Sequence, residues 1–470
     1  MSESSSKGAG VASRLLSSTM SERLRKHRTI AEHGRSNRDV LYSTPNAESR
    51  RLKFEDLPEY RKVKIQKYAS ELVGVDNPFY RSHDAAAGAV AHVDSRVLSN
   101  FASYDYLGLN THVEVHRRVA EAVERYGISA SASRLVAGER PIHAELETAI
   151  AENYGVDSAV CFVSGYLTNV SAISCLMGPQ DLIVHDEYIH NSALAGAQLS
   201  GAQRRFFKHN DVDDLDRILE SVTGTYRRVL VIVEGVYSMD GDIADLPGLL
   251  RLRDKHGFWL MLDEAHALGV LGKTGRGTFE HFDIDPTAVD IWMGTLSKTT
   301  ASCGGYIAGP SALVEILKAD AGGFVYSVGL SPLLAAAAHA SLSILRSEPE
   351  RVQILHRNGR LFCALAQSAG LDVGTSAGYS VVPVLVGDSL RAVELSNRLL
   401  KSDINALPII HPAVPERLAR IRFFLTRDHT EKQIRTAVET TAFLLKQLVD
   451  EGMGASRIDI DKLQRFIAAR

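Results

Sequence analysis

An aspartate and a lysine near the middle of the chain each follow a short apolar run. Asp263 comes directly after one run, and Lys298 lies 35 residues further along, after the next run. Gly165 and Tyr166 follow an earlier apolar run, at the point where a helical pattern begins. A glycine there lets backbone amides approach a ligand, and a helix N-terminus favours an anion such as phosphate. These residue types predict a site that combines a carboxylate, an amine and bound phosphate.

The elements around these residues indicate an α/β fold. Uninterrupted apolar runs alternate with segments whose apolar residues are spaced three apart, as one face of a helix requires. This alternation is typical of a mostly parallel sheet covered by helices on both faces. Such a sheet carries its reactive groups in loops at the carboxyl ends of its strands, so the three groups are expected to meet. The runs with strand character are 159–163, 229–233, 258–262, 291–293 and 306–308.

A second region, with a different pattern, begins after about residue 340. Pro349 favours the first turn of a helix, strands are predicted at 380–386 and 421–425, and the capping box Thr430-x-x-Gln433 predicts the start of the last helix. This pattern indicates a smaller α+β domain. We therefore predict an N-terminal extension (1–67), a large domain (68–340) and a small C-terminal domain (341–470).

Composition excludes several classes of protein. The net charge of −3 over 470 residues argues against a globally basic nucleic-acid-binding protein. The four cysteines show no C-x-x-C spacing, so neither a metal site nor a disulfide framework is indicated, and a reduced, cytoplasmic location is expected. No apolar run approaches the roughly 18 residues that a membrane-spanning helix needs.

The extension 1–67 differs in charge from the rest of the chain. It holds 15 lysine and arginine residues against 8 acidic ones, and serine and arginine dominate its first forty residues. Few apolar side chains are available there to form a core, which favours a solvated tail. The alternatives are a docking arm for an acidic partner such as an acyl carrier protein, or peripheral contact with an anionic membrane surface, which no strongly amphipathic helix supports.

A carboxylate, a lysine and an anion site would suit pyridoxal 5'-phosphate (PLP). The lysine forms a Schiff base with the aldehyde, the carboxylate keeps the pyridine nitrogen protonated, and helix-end amides hold the phosphate. A rival interpretation exists, because 267–274 fits a relaxed Walker A pattern and 263–266 spells the DEAH box of helicases. A phosphate loop must precede the Walker B strand, and here the order is reversed, which argues against an ATPase.

From about Phe101 to Thr441 the chain resembles the α-oxoamine synthases, a branch of the fold-type I PLP-dependent enzymes. The resemblance rests on the ordered motifs NFASYDYLGL, SASRLVAGERPIHAELE, VSGYLTNVSA, HDEYIHNSAL, EGVYSMDGDIADLP, LDEAHALGVLGKTGRG and GTLSKTTASCGGYIAG. It implies a fold-type I transferase, with a mostly parallel central sheet in a large domain, a smaller C-terminal α+β domain, and assembly as a homodimer.

The resemblance also implies the roles of four side chains around the cofactor ring. Lys298 forms the Schiff base and, once freed, removes the α-proton of the bound amino acid. Asp263 pairs with the pyridine nitrogen, and His266 forms a hydrogen bond with the 3'-oxygen of the ring. His190, in the sequence IHNS, matches the family histidine that stacks on the ring and helps to orient the substrate carboxylate.

The same resemblance implies how phosphate is held. Backbone amides of Gly165 and Tyr166 and hydroxyls of Ser238 and Thr295 are expected to bind it, together with a hydroxyl that reaches across the dimer. Ser327 is expected to supply this last contact.

Two further matches concern the substrate. Arg422, in the sequence ARIRFFLT, matches the arginine that binds the amino-acid carboxylate, and a planar guanidinium suits a carboxylate bidentately. Arg420 would project the same way from a strand, so motif register alone selects Arg422. Tyr104 replaces the asparagine that contacts cofactor or substrate in the biotin branch. Val328 stands where many relatives carry threonine or serine, which leaves Ser327 as the cross-subunit hydroxyl.

The predicted reaction is a decarboxylating condensation of a small L-amino acid with an acyl thioester. The motif SYDYLG favours serine palmitoyltransferase-like members over the biotin branch, which predicts serine and a long-chain acyl-CoA or acyl carrier protein, 3-ketosphinganine as product, and a role in sphingolipid biosynthesis. The alternative is a synthase that uses glycine or alanine, of the 8-amino-7-oxononanoate synthase or glycine C-acetyltransferase type. Lys298 argues against an inactive partner subunit, and a simple aminotransferase would lack the IHNS and HALG sequences.

Overall fold

The computed structural model describes residues 53–86, 88–458 and 462. Residues 1–52, most of the predicted extension, therefore lie outside the described residues. The described part of the extension is residues 53–67, and the first α-helix begins within it, at Pro58. Proline is favoured in a first helical turn. Within the described ranges, no helix is both long and apolar enough to cross a membrane.

The strands and helices alternate along most of the chain. The strands are β1 (Val90–Val93), β2 (Arg96–Asn100), β3 (Ser158–Phe162), β4 (Leu182–Asp186), β5 (Gln203–Phe207), β6 (Val229–Glu234), β7 (Trp259–Asp263), β8 (Ile291–Thr295), β9 (Gly305–Gly309), β10 (Val381–Leu385), β11 (Ile404–Asn405), β12 (Leu407–Ile409) and β13 (Arg420–Phe424). The helices are α1 (Pro58–Leu72), α2 (Val113–Tyr126), α3 (Pro141–Tyr154), α4 (Gly165–Leu176), α5 (Asn191–Ser200), α6 (Val212–Glu220), α7 (Leu246–His256), α8 (Thr278–Phe282), α9 (Ser311–Asp320), α10 (Gly322–Val325), α11 (Pro332–Ser347), α12 (Glu350–Ser368), α13 (Ser389–Lys401) and α14 (Glu431–Asp450).

Strands β3 to β9 form the central sheet in the order β3-β9-β8-β7-β6-β4-β5. The β6–β7, β7–β8, β4–β6 and β4–β5 pairs are parallel, and β9 runs antiparallel to both of its neighbours. Side chains of one strand enter two apolar clusters: Val231 and Val233 lie in one, Leu230 and Ile232 in the other. Because successive side chains point to opposite faces, a sheet buried on both faces needs uninterrupted apolar strands. The predicted mostly parallel α/β fold is confirmed.

The C-terminal part of the chain adds a small antiparallel sheet, β10-β13-β12. The capping box predicted at Thr430 and Gln433 is confirmed and begins α14. A third sheet pairs β11 in parallel with β2, which belongs to the β1–β2 hairpin. Residues 90–100 thus join a sheet with a C-terminal strand, a pairing the sequence pattern did not indicate. The domain boundaries at 67 and 340 stay predictions.

Strand β13 also fixes the position of an earlier segment of the chain. The Phe424 amide donates to the carbonyl of Phe101, and the Arg427 amide donates to the carbonyl of Tyr106, both over 2.8 Å. These two hydrogen bonds hold the intervening residues, including Tyr104, beside the strand that carries Arg422. Backbone pairing therefore places Arg422 on a strand that runs beside residues 101–106.

Candidate active site

Three neighbouring parallel strands end in polar side chains at one edge of the central sheet. Glu234 ends β6, Asp263 ends β7 and Thr295 ends β8. Glu234 and Asp263 are register partners, and Lys298 follows β8 by three residues. The structure thus brings the predicted carboxylate and lysine to the same edge of the sheet. This is expected because the carboxyl ends of parallel strands lie at one edge.

Asp263 is 4% exposed and is held by two N–H donors. The Asn169 side-chain amide donates to Oδ2, and the Ala265 backbone amide donates to Oδ1, each over 2.9 Å. Both oxygens of this carboxyl group therefore accept a hydrogen bond, and neither is left unpaired. A negative charge here could keep a cationic ring nitrogen protonated.

Asn169 connects this carboxylate to His190. Its Nδ2 also donates to Oγ of Ser192 over 2.9 Å, and that hydroxyl lies 2.7 Å from Nδ1 of His190. Since Ser192 Oγ already accepts from Asn169, its proton is free to be donated to Nδ1. The neutral imidazole then carries its proton on Nε2. Desolvation in the cleft lowers the pKa of His190; the charge of Asp263 opposes this shift and the charge of Lys298 supports it.

Lys298 lies near carboxylates yet has a lowered pKa. Burial is the largest cause and lowers the pKa to about 8, although the charges of Asp263 and Glu234 oppose it. A larger fraction of the amine is therefore neutral near pH 7 than for an exposed lysine, as a nucleophile or base requires. Its Nζ lies 5.8 Å from the centroid of the Tyr104 ring. The sequence-predicted Tyr104 is thus part of the same cleft.

His266 presents a defined face to the cleft. Its Nδ1 lies 2.6 Å from the hydroxyl of Tyr106. Burial raises the pKa of Tyr106 well above its usual range, so this phenol stays protonated and can donate to Nδ1. Burial, followed by the charges of Lys298 and Arg422, holds the pKa of His266 well below its usual range. The neutral ring is thus left with Nε2–H as a donor.

The predicted anion site lies where α4 begins. Ser164 caps this helix by accepting from the Leu167 amide over 3.1 Å. The preceding amides, of Gly165 and Tyr166, have no intrahelical acceptor because they lie in the first turn, so they are available to an anion. A Cβ at Gly165 would lie 2.7 Å from Oγ1 of Thr295, so only glycine allows this close approach. We call the amides of Gly165 and Tyr166 together with Thr295 the anion site. Together with Lys298 and Asp263, these groups fit PLP.

Arg420 and Arg422, between which motif register alone selects Arg422, have different surroundings in the structure. Arg420 is 3% exposed and forms a salt bridge with Asp240. Arg422 donates through Nη1 to the carbonyl of Ser238 over 2.8 Å, but no salt bridge reaches it within the described residues. Its buried Nε has no hydrogen-bond partner there either. Arg422 is therefore the arginine whose charge is available to a substrate carboxylate.

Ser238 and Ser327 are also predicted to bind phosphate, but the structure shows other neighbours for both of them. Ser238 lies between Glu234, whose Oε2 accepts from its backbone amide over 3.2 Å, and Arg422. Its neighbours are thus the carboxyl and the arginine, and its phosphate role stays a prediction. Ser327 lines a surface groove formed by residues of 131–136 and 325–328, and its cross-subunit role also stays a prediction.

Sequence reasoning missed four residues that organise this site. Asn169 lies on α4 one turn after Gly165, and its place within the motif VSGYLTNVSA was the available signal, whereas its burial and its contact with Asp263 are visible in the structure alone. Glu234 follows an apolar run, as Asp263 does, so the same strand-end argument would have found it. Ser192 and Tyr106 gave no comparable signal, because their roles depend on partners distant in sequence.

Comparisons with known proteins agree with this geometry. A family model described as aminotransferase class I and II matches residues 96–440. An 8-amino-7-oxononanoate synthase from Symbiobacterium thermophilum is 40% identical over 356 residues, 76% of this chain and 90% of that protein. One from Thermoanaerobacter pseudethanolicus is 35% identical over 365 residues, 78% of this chain and 92% of that protein. A serine palmitoyltransferase solved with PLP has a TM-score of 0.80 and 27% identity, covering 84% of this chain and 99% of that one.

These matches correct the predicted substrate preference. Identity to the 8-amino-7-oxononanoate synthases is 35–40%, against 27% for the serine palmitoyltransferase structure. The prediction of serine, a long-chain acyl donor and a sphingolipid role is therefore wrong, and the alternative of a glycine- or alanine-using synthase is better supported. The tyrosines of the motif SYDYLG lie beside His266 and Lys298, which are predicted to act on the cofactor, so this motif is a poor guide to the substrate.

Proposed function

We propose that this chain joins L-alanine to the acyl group of a thioester and releases the thiol and carbon dioxide. The chain belongs to the aminotransferase class I and II family and, within it, to the PLP-dependent, fold-type I α-oxoamine synthases. The product would be an α-aminoketone. The observation that carries this proposal is the 40% identity to an 8-amino-7-oxononanoate synthase over 90% of that protein.

The product named by that relative indicates the amino acid. In 8-amino-7-oxononanoate the amine-bearing carbon also carries the terminal methyl group, which together make alanine without its carboxyl group. The carbonyl next to it marks the bond formed with the acyl group, and the rest of the chain ends in a carboxylate. The relative's name therefore supports alanine as the amino acid and an acyl thioester with a remote carboxylate as the donor.

Arg422 would bind the carboxylate of the amino acid. Its guanidinium has no carboxylate partner in the described part of the chain, and its Nε is buried and unpaired. An incoming carboxylate can accept two parallel hydrogen bonds from such a group. The contact would orient the amino acid with its α-carbon toward Lys298.

Lys298 would hold PLP covalently and later take the α-proton at Nζ. PLP, when bound, supplies an electron sink that stabilises negative charge on the α-carbon. Asp263, oriented by the donors from Asn169 and Ala265, would pair with the ring nitrogen and keep it protonated. His190 would lie against the ring, with its tautomer set by Ser192.

The remaining side chains would hold the cofactor's oxygens. Nε2–H of His266 is free to donate to the ring hydroxyl oxygen, since Nδ1 accepts from Tyr106. The anion site would bind the phosphate with Gly165 and Tyr166 amides and the Thr295 hydroxyl. The Nε2–H of His266 and the two amides are donors, which suits the anionic oxygens of PLP. The Thr295 hydroxyl donates to the carbonyl of Gly304 over 3.1 Å and would have to turn to donate to the phosphate.

The homodimer expected from the resemblance also belongs to this proposal. The groove at 131–136 and 325–328 exposes several apolar side chains, and Tyr326 is 89% exposed. An exposed apolar groove of this kind is typical of an interface, and Ser327 lies within it. A second copy of the chain seated there would bury these side chains. Sedimentation analysis should give twice the chain mass of 51.3 kDa, and Tyr326→Asp should give the monomer.

The proposed reaction is tested by mixing holoenzyme with one amino acid and one acyl thioester. Alanine with a dicarboxylic acyl thioester should release thiol, while serine with palmitoyl thioester should release it at a much lower rate. Glycine in place of alanine measures how strictly the methyl group is required. Thiol release without alanine would point to hydrolysis and contradict the proposal, as would formation of a keto acid from alanine.

A further inference from the structure

Glu234 is a second carboxyl group in the site, side by side with Asp263. The two residues end neighbouring parallel strands in register, and both are 4% exposed. Two carboxylates this close in a buried site repel each other, so their protonation states are expected to differ. Which of them holds the proton depends on the hydrogen bonds that each oxygen makes.

The hydrogen bonds of the two carboxyl groups differ. Both oxygens of Asp263 accept N–H donors. In Glu234, Oε2 accepts from the Ser238 amide over 3.2 Å, whereas Oε1 is buried and has no hydrogen-bond partner within the described residues. A buried, unpaired carboxylate oxygen is costly, while a protonated Oε1 would need only an acceptor. The geometry therefore places the proton on Glu234.

The charges around Glu234 point to the same protonation state. Burial is the largest cause and, with the repulsion from Asp263, raises the pKa of Glu234 to about 8. The Ser238 and His190 amides and the charge of Lys298 act in the opposite direction. Two further titratable groups also face this carboxyl, Arg422 and Tyr237. Glu234 is thus mostly neutral near pH 7.

Ser238 connects Glu234 to the arginine that would bind substrate. Its amide donates to Oε2 of Glu234, and its carbonyl accepts from Nη1 of Arg422 over 2.8 Å. An ionised Glu234 at this position would repel an incoming anion and attract the guanidinium to itself. A neutral Glu234 leaves the positive charge of Arg422 available.

We propose that Glu234 binds ligand as a neutral carboxylic acid whose Oε1–H donates a hydrogen bond to an anionic oxygen. That oxygen belongs either to the PLP ring or to the carboxylate of the amino acid. Only the second source rests on the proposed function, because binding of PLP is independent of which amino acid and acyl donor the enzyme uses. The role is one of binding and orientation, and no proton is transferred.

The first arm of the test measures PLP binding to the apoenzyme of the wild type, Glu234→Gln and Glu234→Ala. A glutamine keeps an N–H donor where the acid has O–H, so its dissociation constant for PLP at pH 7 should stay within about threefold of the wild type. The alanine variant should bind about tenfold more weakly. The dissociation constant of the wild type for PLP, divided by that of Glu234→Gln, should rise about tenfold between pH 7 and 9, because Glu234 ionises in this range.

The second arm repeats the measurement with alanine as the ligand, added to each PLP-saturated enzyme and followed by the absorbance of the bound cofactor. If the tenfold rise of the ratio appears for PLP, the acceptor is the ring oxygen; if it appears for alanine alone, the acceptor is the substrate carboxylate. Should alanine not bind, the proposed function fails while the PLP arm still tests Glu234.

Glu264→Gln serves as the matched control. Glu264 is also a buried carboxyl, and burial raises its pKa to about 7, but both of its oxygens accept from Thr278. This variant should leave the pH dependence of both ligands unchanged. A Glu234→Gln enzyme as weak as Glu234→Ala, or a ratio that stays constant with pH for both ligands, would overturn the proposal. If Glu234→Ala does not fold, the pH dependence of Glu234→Gln alone decides.

Discussion

The side-chain amide of Asn169 donates a hydrogen bond of 2.9 Å to Oδ2 of Asp263. The same nitrogen donates to Ser192, which in turn lies within hydrogen-bond distance of His190. One amide on α4 therefore orients the carboxylate at the end of β7 and, through Ser192, the histidine before α5. The side chain expected to pair with the ring nitrogen and the one expected to stack on the ring are thus positioned by a single buried residue.

Replacing Asn169 should weaken cofactor binding. In Asn169→Ala, Asp263 loses a donor to its charged form, and hydrogen bonds to charged groups contribute about 1.5–3 kcal/mol. The dissociation constant for PLP, measured by fluorescence quenching, should rise about tenfold or more. Ser192→Ala keeps the bond to Asp263 and should have a smaller effect. Equal effects of the two variants would show that the link to Asp263 is unimportant.

The two arginines of β13 should respond in opposite ways to the same substitution. Arg420→Met leaves Asp240 buried without its partner, which costs about 3–5 kcal/mol of the free energy of unfolding. Arg422→Met removes a half-buried charge that no salt bridge reaches within the described part of the chain, so stability should be unchanged or higher, while alanine binding should weaken at least tenfold. Urea unfolding and spectral titration measure the two effects. Retained alanine binding in Arg422→Met would contradict its assignment.

The lowered pKa of Lys298 gives a pH dependence with a definite sign. Only the neutral amine attacks an aldehyde, so the rate of PLP capture by apoenzyme should rise with pH and level off above about 8. The charge of Asp263 raises the pKa of Lys298, so Asp263→Asn should shift the half-maximum to lower pH. Stopped-flow absorbance measures both profiles. A shift to higher pH would be inconsistent with this electrostatic arrangement.

Gly165→Ala should disturb the anion site. The added Cβ would lie 2.7 Å from Oγ1 of Thr295, closer than side chains can approach without a shift of the strand end or the helix. Binding of PLP should weaken at least tenfold. Gly322→Ala is the control, since a Cβ there meets nothing within 4 Å. PLP affinity equal to that of the wild type in Gly165→Ala would argue against phosphate at this helix end.

Much of the fold could be predicted because strands and helices leave local patterns. The run 159–163 corresponds to β3 (Ser158–Phe162), and the capping box at Thr430 begins α14. The pairing of β11 with β2 could not be predicted, because two residues are too few for a periodic signal and their partner lies about 300 residues away. Asp263 and Lys298 were found because strand ends mark them. Asn169 was missed because its role depends on a contact across 94 residues.

The substrate was predicted less accurately than the cofactor and the type of reaction. The motifs that identify the family include the residues predicted to hold the cofactor, and in the proposed reaction Lys298 and His266 would act in the same way whichever amino acid is used. The acyl donor and the size of the amino acid are decided by surfaces that no short motif describes. The correction from serine to the glycine- or alanine-using alternative accordingly came from identity over 76–78% of the chain.

The central claim is that Lys298, beside Asp263, is the amine that holds PLP, and borohydride reduction followed by peptide mass mapping tests it most directly. The reduced enzyme should carry one phosphopyridoxyl group per chain on the peptide that contains Lys298, and Lys298→Ala should carry none. A label on another lysine, or an unlabelled wild-type enzyme after incubation with PLP, would contradict the account.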